Sequence, residues 1–149
     1  RIALAAGITF ETVTFADPTA LYDRILAVEA RSWKSRDGVG IIAGPMRAFY
    51  GTMLPKLVET RQHRTMFARH GDLDIGYILG AVFEGEYRGL QFSYDDDFAA
   101  FGIGGLLQYH QVAALCEERV ERYDLGTEMD YKRRWAEDTM ETEMLVLVR

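Results

Sequence analysis

Leu73-Asp74-Ile75-Gly76-Tyr77-Ile78-Leu79-Gly80-Ala81-Val82-Phe83-Glu84-Gly85-Glu86-Tyr87 reads as two strands and the turn that joins them. Leu73, Ile75, Tyr77, Leu79, Ala81 and Phe83 recur with the two-residue period of a β-face. Ile78 and Val82 make the opposite face partly apolar as well, which predicts a central strand covered on both sides. Glu84-Gly85-Glu86 is turn chemistry, and Tyr87–Tyr94 continues as the next strand. Upstream, Thr65–Arg69 is a short strand turned by His70-Gly71-Asp72. Three successive strands with tight turns make an antiparallel meander.

The pattern then changes. Asp95-Asp96-Asp97 leads to Phe101-Gly102-Ile103-Gly104-Gly105, and from there Leu106, Tyr109, Ala113, Cys116 and Val120 recur at helical spacing. A helix from about Gly104 to Glu121, followed by a strand at Tyr123–Leu125, makes a crossover, and a crossover joins parallel neighbours. The expected fold is therefore α/β: a mixed, largely antiparallel sheet flanked by helices, opening between Leu90–Tyr94 and Tyr123–Leu125. Toward the N-terminus, Ile8–Phe15 predicts a strand, and Asp17-Pro18 an N-cap with proline at the first helical position. Leu21, Ile25 and Val28 carry that helix to about Trp33-Lys34, before the loop Asp37-Gly38-Val39-Gly40.

Gly44-Pro45 opens a second helix with an apolar stripe of Met46, Phe49, Tyr50, Met53, Leu54, Leu57 and Val58, read as core. Pro55 inside it predicts a kink, or two short helices meeting near Met53. Met144–Val148 predicts a last strand. With no internal repeat or low-complexity linker, residues 1–149 are expected to form a single domain.

Composition narrows the function. The chain has 17 Lys+Arg against 23 Asp+Glu, a net charge of −6, which argues against general nucleic-acid binding through phosphate neutralisation. No apolar run is long enough for a membrane-spanning helix, so membrane insertion is not expected. The one cysteine, Cys116, excludes an internal disulfide and is expected as a small buried residue on its helix.

The chemistry-bearing stretches are few. Gly102, Gly104 and Gly105 stand between a strand and a helix, where free amide N–H groups attract phosphate oxygens. The Lys and Ser/Thr of a Walker loop and the spacing of a Rossmann fingerprint are both missing. Asp95, Asp96 and Asp97 have no His or Cys at matching spacing, so no metal site is expected. His63, His70 and His110 are scattered, and no nucleophile elbow occurs. Tyr123–Ala136 is different: a short strand, a turn at Gly126, then Tyr131, Lys132 and Trp135 in close succession. Tyr131 can protonate a leaving group, and Lys132 can hold phosphate or a developing oxyanion. Asp124, Glu128 and Asp130 can orient them.

This order of elements resembles the GNAT acyltransferase fold. Glu29-Ala30-Arg31-Ser32-Trp33-Lys34 resembles the E-x-x-S-W-K element of a bacterial subfamily linked to cellulose and exopolysaccharide biosynthesis, itself similar to Fem-type peptidoglycan aminoacyl transferases. Tyr94-Asp95 and the D-L-G then Y-K-x-x-W pattern of Asp124–Trp135 agree with it. The chain departs from the pattern at Gly102-Ile103-Gly104, where relatives have Ser-Pro-Gly, and at Ala99, where acetyl-CoA-binding members place a basic or amide residue.

The resemblance implies transfer of an acyl group, acetyl from acyl-CoA above all, to an amine of a sugar or small metabolite. It implies Lys132, Tyr131 and Asp95 as catalytic groups, and Gly102, Gly104, Gly105 and Tyr94 at the cofactor. Trp33, Lys34, Asp124 and Glu128 are expected at the acceptor, and a backbone N–H around Phe92–Tyr94 at the oxyanion. A cytoplasmic location and either a homodimer or a partner domain are also expected, since relatives often carry two such domains in tandem. Two alternatives stand beside this one: a degenerate, non-catalytic binding module, and a Fem-type enzyme using aminoacyl-tRNA.

Overall fold

The computed structural model describes residues 6–147. Strand β1 (Ile8–Val13) is followed by helices α1 (Pro18–Glu29), α2 (Trp33–Arg36) and α3 (Gly44–Glu59). The meander β2 (His63–His70), β3 (Leu73–Phe83) and β4 (Glu86–Tyr94) comes next, then a 3-10 turn (Asp96–Phe101). Helix α4 (Ile103–Glu117), strand β5 (Arg122–Asp124) and a short 3-10 turn (Asp130–Lys132) complete the regular structure. The strands form one sheet in the order β1-β2-β3-β4-β5. Every neighbouring pair is antiparallel except β4 and β5, which run parallel and are joined across the face by α4. The expected fold class and the expected crossover are both present.

Local chemistry accounts for the turns. Asp17 caps α1 by accepting the Ala20 N–H at 2.8 Å, with Pro18 behind it. Glu84 and Gly85 both have positive φ, +49° and +82°, the backbone of a two-residue hairpin whose twist matches its strands. A bulge between Ala68 and Arg69 shifts the register opposite Ile75. Ile75 therefore leaves the face of Tyr77, where strict alternation had placed it, and packs with Ile103 and Leu107 of α4.

Several expectations are corrected. The first helix ends at Glu29, because Ser32 is extended (φ −92°, ψ 160°) and α2 starts anew at Trp33. Helix α3 runs unbroken through Pro55. Proline there frees the carbonyl of Gly51 four residues back, and at Gly51 a Cβ would stand 3.3 Å from the Tyr22 ring. Of the predicted α3 stripe only Tyr50 and Leu54 are buried, whereas Met46 and Phe49 are exposed.

The buried face of α4 is Ile103, Leu107, Gln108, Gln111 and Leu115, not the stripe through Tyr109 and Cys116. Cys116 is exposed. Two helical stripes competed there, and the one that won contains two glutamines, which concealed it. Met144–Leu147 form no strand and are exposed; Val148 lies outside the described residues. An apolar, β-prone run becomes a strand only where a ladder partner takes its N–H and C=O groups.

Two clusters form the core, one on each sheet face. On one side Leu21, Ile25, Val28, Tyr50 and Leu54 pack on Phe67, Tyr77 and Leu79. On the other, Ile103 and Leu107 pack on Met66, Ala68, Ile75 and Ile78. At Gly76 a Cβ would meet Ile103 at 2.7 Å and Leu107 at 3.0 Å, so glycine is what lets α4 lie close to β3.

Candidate active site

The register of β4 and β5 places the site. Glu86, Tyr87 and Arg88 pair with Arg122, Tyr123 and Asp124, and the ladder ends there. Gly126 has φ +78° and turns the chain after β5 out of the sheet. From Gly89 to Tyr94, β4 therefore has β3 on one side and an opening on the other, outside the carboxyl end of β5, where α/β sheets place their ligands.

One wall comes from α1 to α3. Lys34 Nζ donates to the Phe92 carbonyl at 2.6 Å and to Gln91 Oε1 at 3.0 Å, and lies 3.9 Å from Glu29 Oε1. Glu29 is wholly buried and accepts the Tyr77 hydroxyl at 2.8 Å and the Ser32 hydroxyl at 3.1 Å. The Tyr50 hydroxyl donates to the Leu90 carbonyl at 3.3 Å. Burial pulls the Lys34 ammonium below its ordinary pKa against the opposing pull of Glu29, and nearby Lys132 pulls it the same way. Burial and the Glu29 carboxylate push the Tyr77 phenol up.

The floor is the start of α4. Gly102 is left-handed (φ +66°), which swings the chain from the 3-10 turn into the helix. A Cβ at Gly104 would lie 3.2 Å from both the Phe92 and Tyr94 rings. The turn itself is fastened by Asp95, which accepts the Asp97 N–H at 3.1 Å and pairs with Arg31 at 2.6 Å. The other arm of Arg31 holds the Asp74 carbonyl at 2.5 Å. Asp95 is 4% exposed with its carboxylate already taken, so its place is that of a brace for the glycine turn.

The second wall is the segment after β5. The Tyr131 ring meets Phe92 edge-on, with centroids 5.7 Å apart, and burial raises its phenol. Arg134 extends to the first turn of α4, 3.7 Å from where a Gly105 Cβ would stand. Lys132 donates to the Thr127 carbonyl at 2.8 Å; burial and then Arg88 lower its pKa, against Asp124. Burial alone would raise the Asp124 carboxyl, yet the Gly126 amide at 2.7 Å and the paired Arg88 hold it low.

Tyr131, Tyr94, Gly104 and Gly105 thus gather at the opening, with Lys34 and Lys132 beside it. Glu128 pairs with Arg133 at 3.0 Å on the outer surface, and Trp33 stands 41% exposed at the start of α2. Trp135 is half-buried rather than packed into the core.

Sequence reasoning gave no role to Glu29, Tyr50, Tyr77, Arg31 or Arg134. Glu29 alone had a signal: a carboxylate three residues before Ser32 and five before Lys34, all in one quoted element. The contacts of Tyr50 and Arg134 join residues far apart in the chain and leave no local trace. Among the described residues no group of three or more His, Cys, Asp or Glu is placed to hold a metal ion, and no helix is long and apolar enough to cross a membrane.

The parallel pair ends at Asp124 beside a glycine-started crossover helix, and comparison with known proteins identifies the family. The family model described as an acetyltransferase (GNAT) domain matches residues 2–133. The chain belongs to the GNAT acetyltransferase family and is an N-acyltransferase of that type. A sequence comparison with curated proteins gives no match.

Solved structures share the fold at low identity. An aminoglycoside acetyltransferase from an uncultured soil metagenomic sample, in complex with sisomicin, has a TM-score of 0.63 and 14% identity, covering 98% of this chain and 97% of that one. A GNAT family acetyltransferase of Staphylococcus aureus has a TM-score of 0.63 and 13% identity, covering 94% and 99%. The PaiA N-acetyltransferase of Thermoplasma acidophilum, in complex with coenzyme A, has a TM-score of 0.57 and 15% identity, covering 75% of each chain.

Proposed function

We propose that this protein transfers acetyl or another short acyl group from acyl-CoA to a primary amine on a sugar or small metabolite. The observation that carries this reading is the opening along Gly89–Tyr94, bordered at once by the glycine start of α4 and by Tyr131 and Lys132. Such transfer needs the thioester carbonyl held, its oxyanion stabilised and the departing thiolate protonated. The β4 edge near Phe92 serves the carbonyl, and Tyr131, a phenol that carries its proton at neutral pH and whose pKa is pushed further up by partial burial, serves the leaving thiolate. The pyrophosphate needs a few amides and one or two cations, for which the turn at Gly102–Gly105 is suited despite Ala99.

On the acceptor side, Asp124 is paired with Arg88 and the Gly126 amide but, unlike Asp95, stands 41% exposed, so its carboxylate can still meet a cationic amine awaiting deprotonation. Structural relatives solved with an aminoglycoside and with an aminoglycoside bisubstrate analogue support an amino-sugar class of acceptor. The E-x-x-S-W-K resemblance is what supports a role near polysaccharide assembly; Glu29, Ser32 and Lys34 of that element form one network at the site. An aminoacyl-tRNA donor would require a broad cationic surface, and a net charge of −6 opposes it.

A thermal-shift titration with acetyl-CoA, followed by a coupled thiol-release assay over amino sugars, tests the reading. Stabilisation by acyl-CoA with amine-dependent thiol release is expected. Binding of aminoacyl-tRNA at physiological salt, with no response to any acyl-CoA, overturns it.

A further inference from the structure

Tyr123 and Asp124 face opposite sides of the sheet. The Tyr123 hydroxyl donates to Gln108 of α4 at 3.2 Å, so Tyr123 points to the α4 side. Alternation along β5 sends Asp124 to the side of α1 and α3, and Arg88, its partner in the β4–β5 register, goes with it. The glycine start of α4, where a donor's pyrophosphate finds free amides, lies on the other side of the sheet from this pair.

Two cations share one carboxylate here. A Cβ at Gly126 would stand 3.5 Å from Arg88 Nη2 and 3.7 Å from Lys132 Nζ. Arg88 donates to Asp124 through Nη1, and among the described residues its Nη2 has no hydrogen-bond partner. Lys132 spends one of its three N–H groups, on the Thr127 carbonyl. After burial, repulsion from Arg88 lowers the Lys132 pKa by more than Asp124 raises it. Lys132 in turn depresses Lys34, whose own ammonium is taken up by Phe92, Gln91 and Glu29. In a chain of net charge −6, this is a local surplus of positive charge with donors to spare. Such a surplus at an opening concentrates anionic ligands.

We infer that Arg88 and Lys132 form an anion seat on the acceptor side of the opening, and that the acceptor is an amine carrying its own phosphate or carboxylate. The inference rests on the acyl-transfer reading and narrows its acceptor from amino sugars in general to acidic ones. The acid group takes Arg88 Nη2 and the spare N–H groups of Lys132, as charge-assisted hydrogen bonds. The ammonium of the same molecule meets the partly exposed carboxylate of Asp124. A neutral amino sugar lacks the first contact, and a polycationic one brings further charge against Arg88 and Lys132.

Three probes with one ring test this: glucosamine, glucosamine 6-phosphate and 2-amino-2-deoxyglucuronic acid. Each is titrated by NMR into isotope-labelled protein saturated with CoA, so that the donor's phosphate contacts are already filled, and is then assayed with acetyl-CoA. An acidic sugar should bind about tenfold more tightly than glucosamine and shift the Gly126 and Thr127 amides. Whether the phosphate or the carboxylate leads tells which acid the seat prefers. Equal affinity for all three, or shifts that spare Gly126 and Thr127, overturns the inference.

Arg88→Gln should raise KM for the acidic sugar about tenfold and leave KM for acetyl-CoA within about twofold, and Arg88→Lys should recover most of the loss. An unchanged preference in Arg88→Gln, or an equal rise in KM for acetyl-CoA, overturns the role of Arg88. If that variant does not fold, the intact protein in about 0.5 M NaCl serves, where the preference should fall severalfold and a constant preference overturns the seat. Failure of CoA to bind would sink the acyl-CoA reading instead. In that case, or if none of the three sugars binds, inorganic phosphate decides the anion seat: shifts at Gly126 and Thr127 are expected, and their absence overturns it.

Discussion

The two faces of the sheet solve the same packing problem with different chemistry. Under α4 the contacts are apolar and very close, with Gly76 admitting Ile103 and Leu107. Under α1 and α3 the apolar cluster carries a buried polar thread, from Tyr77 through Glu29 and Ser32 to Lys34. The thread ends at the edge of β4, where the opening begins. The first face is mainly close apolar packing, with Gln108 and Gln111 its buried polar groups; the second carries a charged thread from the core to the site. A buried ion pair seldom adds stability over apolar residues of the same volume, so its place at this edge is better explained by what it positions.

The sharpest way to break the comparison is Glu29→Ala. It leaves the Tyr77 hydroxyl without its acceptor and deprives Lys34 of its nearest carboxylate, and should cost about 3–5 kcal/mol of stability in urea unfolding. A loss below about 1 kcal/mol would mean that the thread is decoration. Next comes Lys132→Met, which keeps the apolar stem and removes the charge. The kcat/KM for acyl transfer should fall about 100-fold, or about 2.7 kcal/mol, while the melting temperature stays within about 3 °C. Full activity would refute its role; failure to fold would make it structural.

On the apolar face, Gly76→Ala should cost about 1–3 kcal/mol by pushing α4 off the sheet, measured in the same way. Equal stability would show that Ile103 can yield.

The smallest effect is a pH slope. His63 is buried, and among the described residues neither ring nitrogen makes a hydrogen bond of full geometry, the Leu57 and Val13 backbones offering only weak ones. Burial, and then Arg64, hold its pKa below 6.5. The unfolded chain therefore binds the proton first: stability should be level above about pH 6.5 and decline as the pH falls toward the folded pKa. Urea midpoints from pH 8 to pH 5 check this, and His63→Leu should lessen the decline, leaving the part due to His110, which burial also holds low. A stability that rose on acidification over this window would contradict the assignment.

The sheet was legible because its signals are local. Alternation in Leu73–Phe83, the turn at Glu84-Gly85 and the glycine-rich entry to α4 each lie within a dozen residues. Helix faces were harder. On α4 the stripe through Leu106, Tyr109 and Cys116 looked more apolar than the true one, because the true one buries Gln108, which accepts the Tyr123 hydroxyl at 3.2 Å, and Gln111. At the site, Lys34, Tyr131 and the glycines could be named from motif and turn chemistry. Their contacts could not be. Lys34 is bonded to a carbonyl of β4 that lies 58 residues further along the chain, and Asp95 to Arg31 across 64.

The pairing of β5 bears on the order of assembly. Strands β1 to β4 form antiparallel ladders with six or more register pairs each, whereas β5 is held by three, at the end of a crossover. Parallel pairing across a helix requires a long loop to close before any hydrogen bond rewards it. The meander is thus expected to form first in folding, and β5 to dock last. In the native protein the same strand is the one expected to undock first, carrying Tyr131 and Lys132 with it, and faster amide exchange at Tyr123 than at Tyr77 would show the opening widening without melting the rest of the sheet.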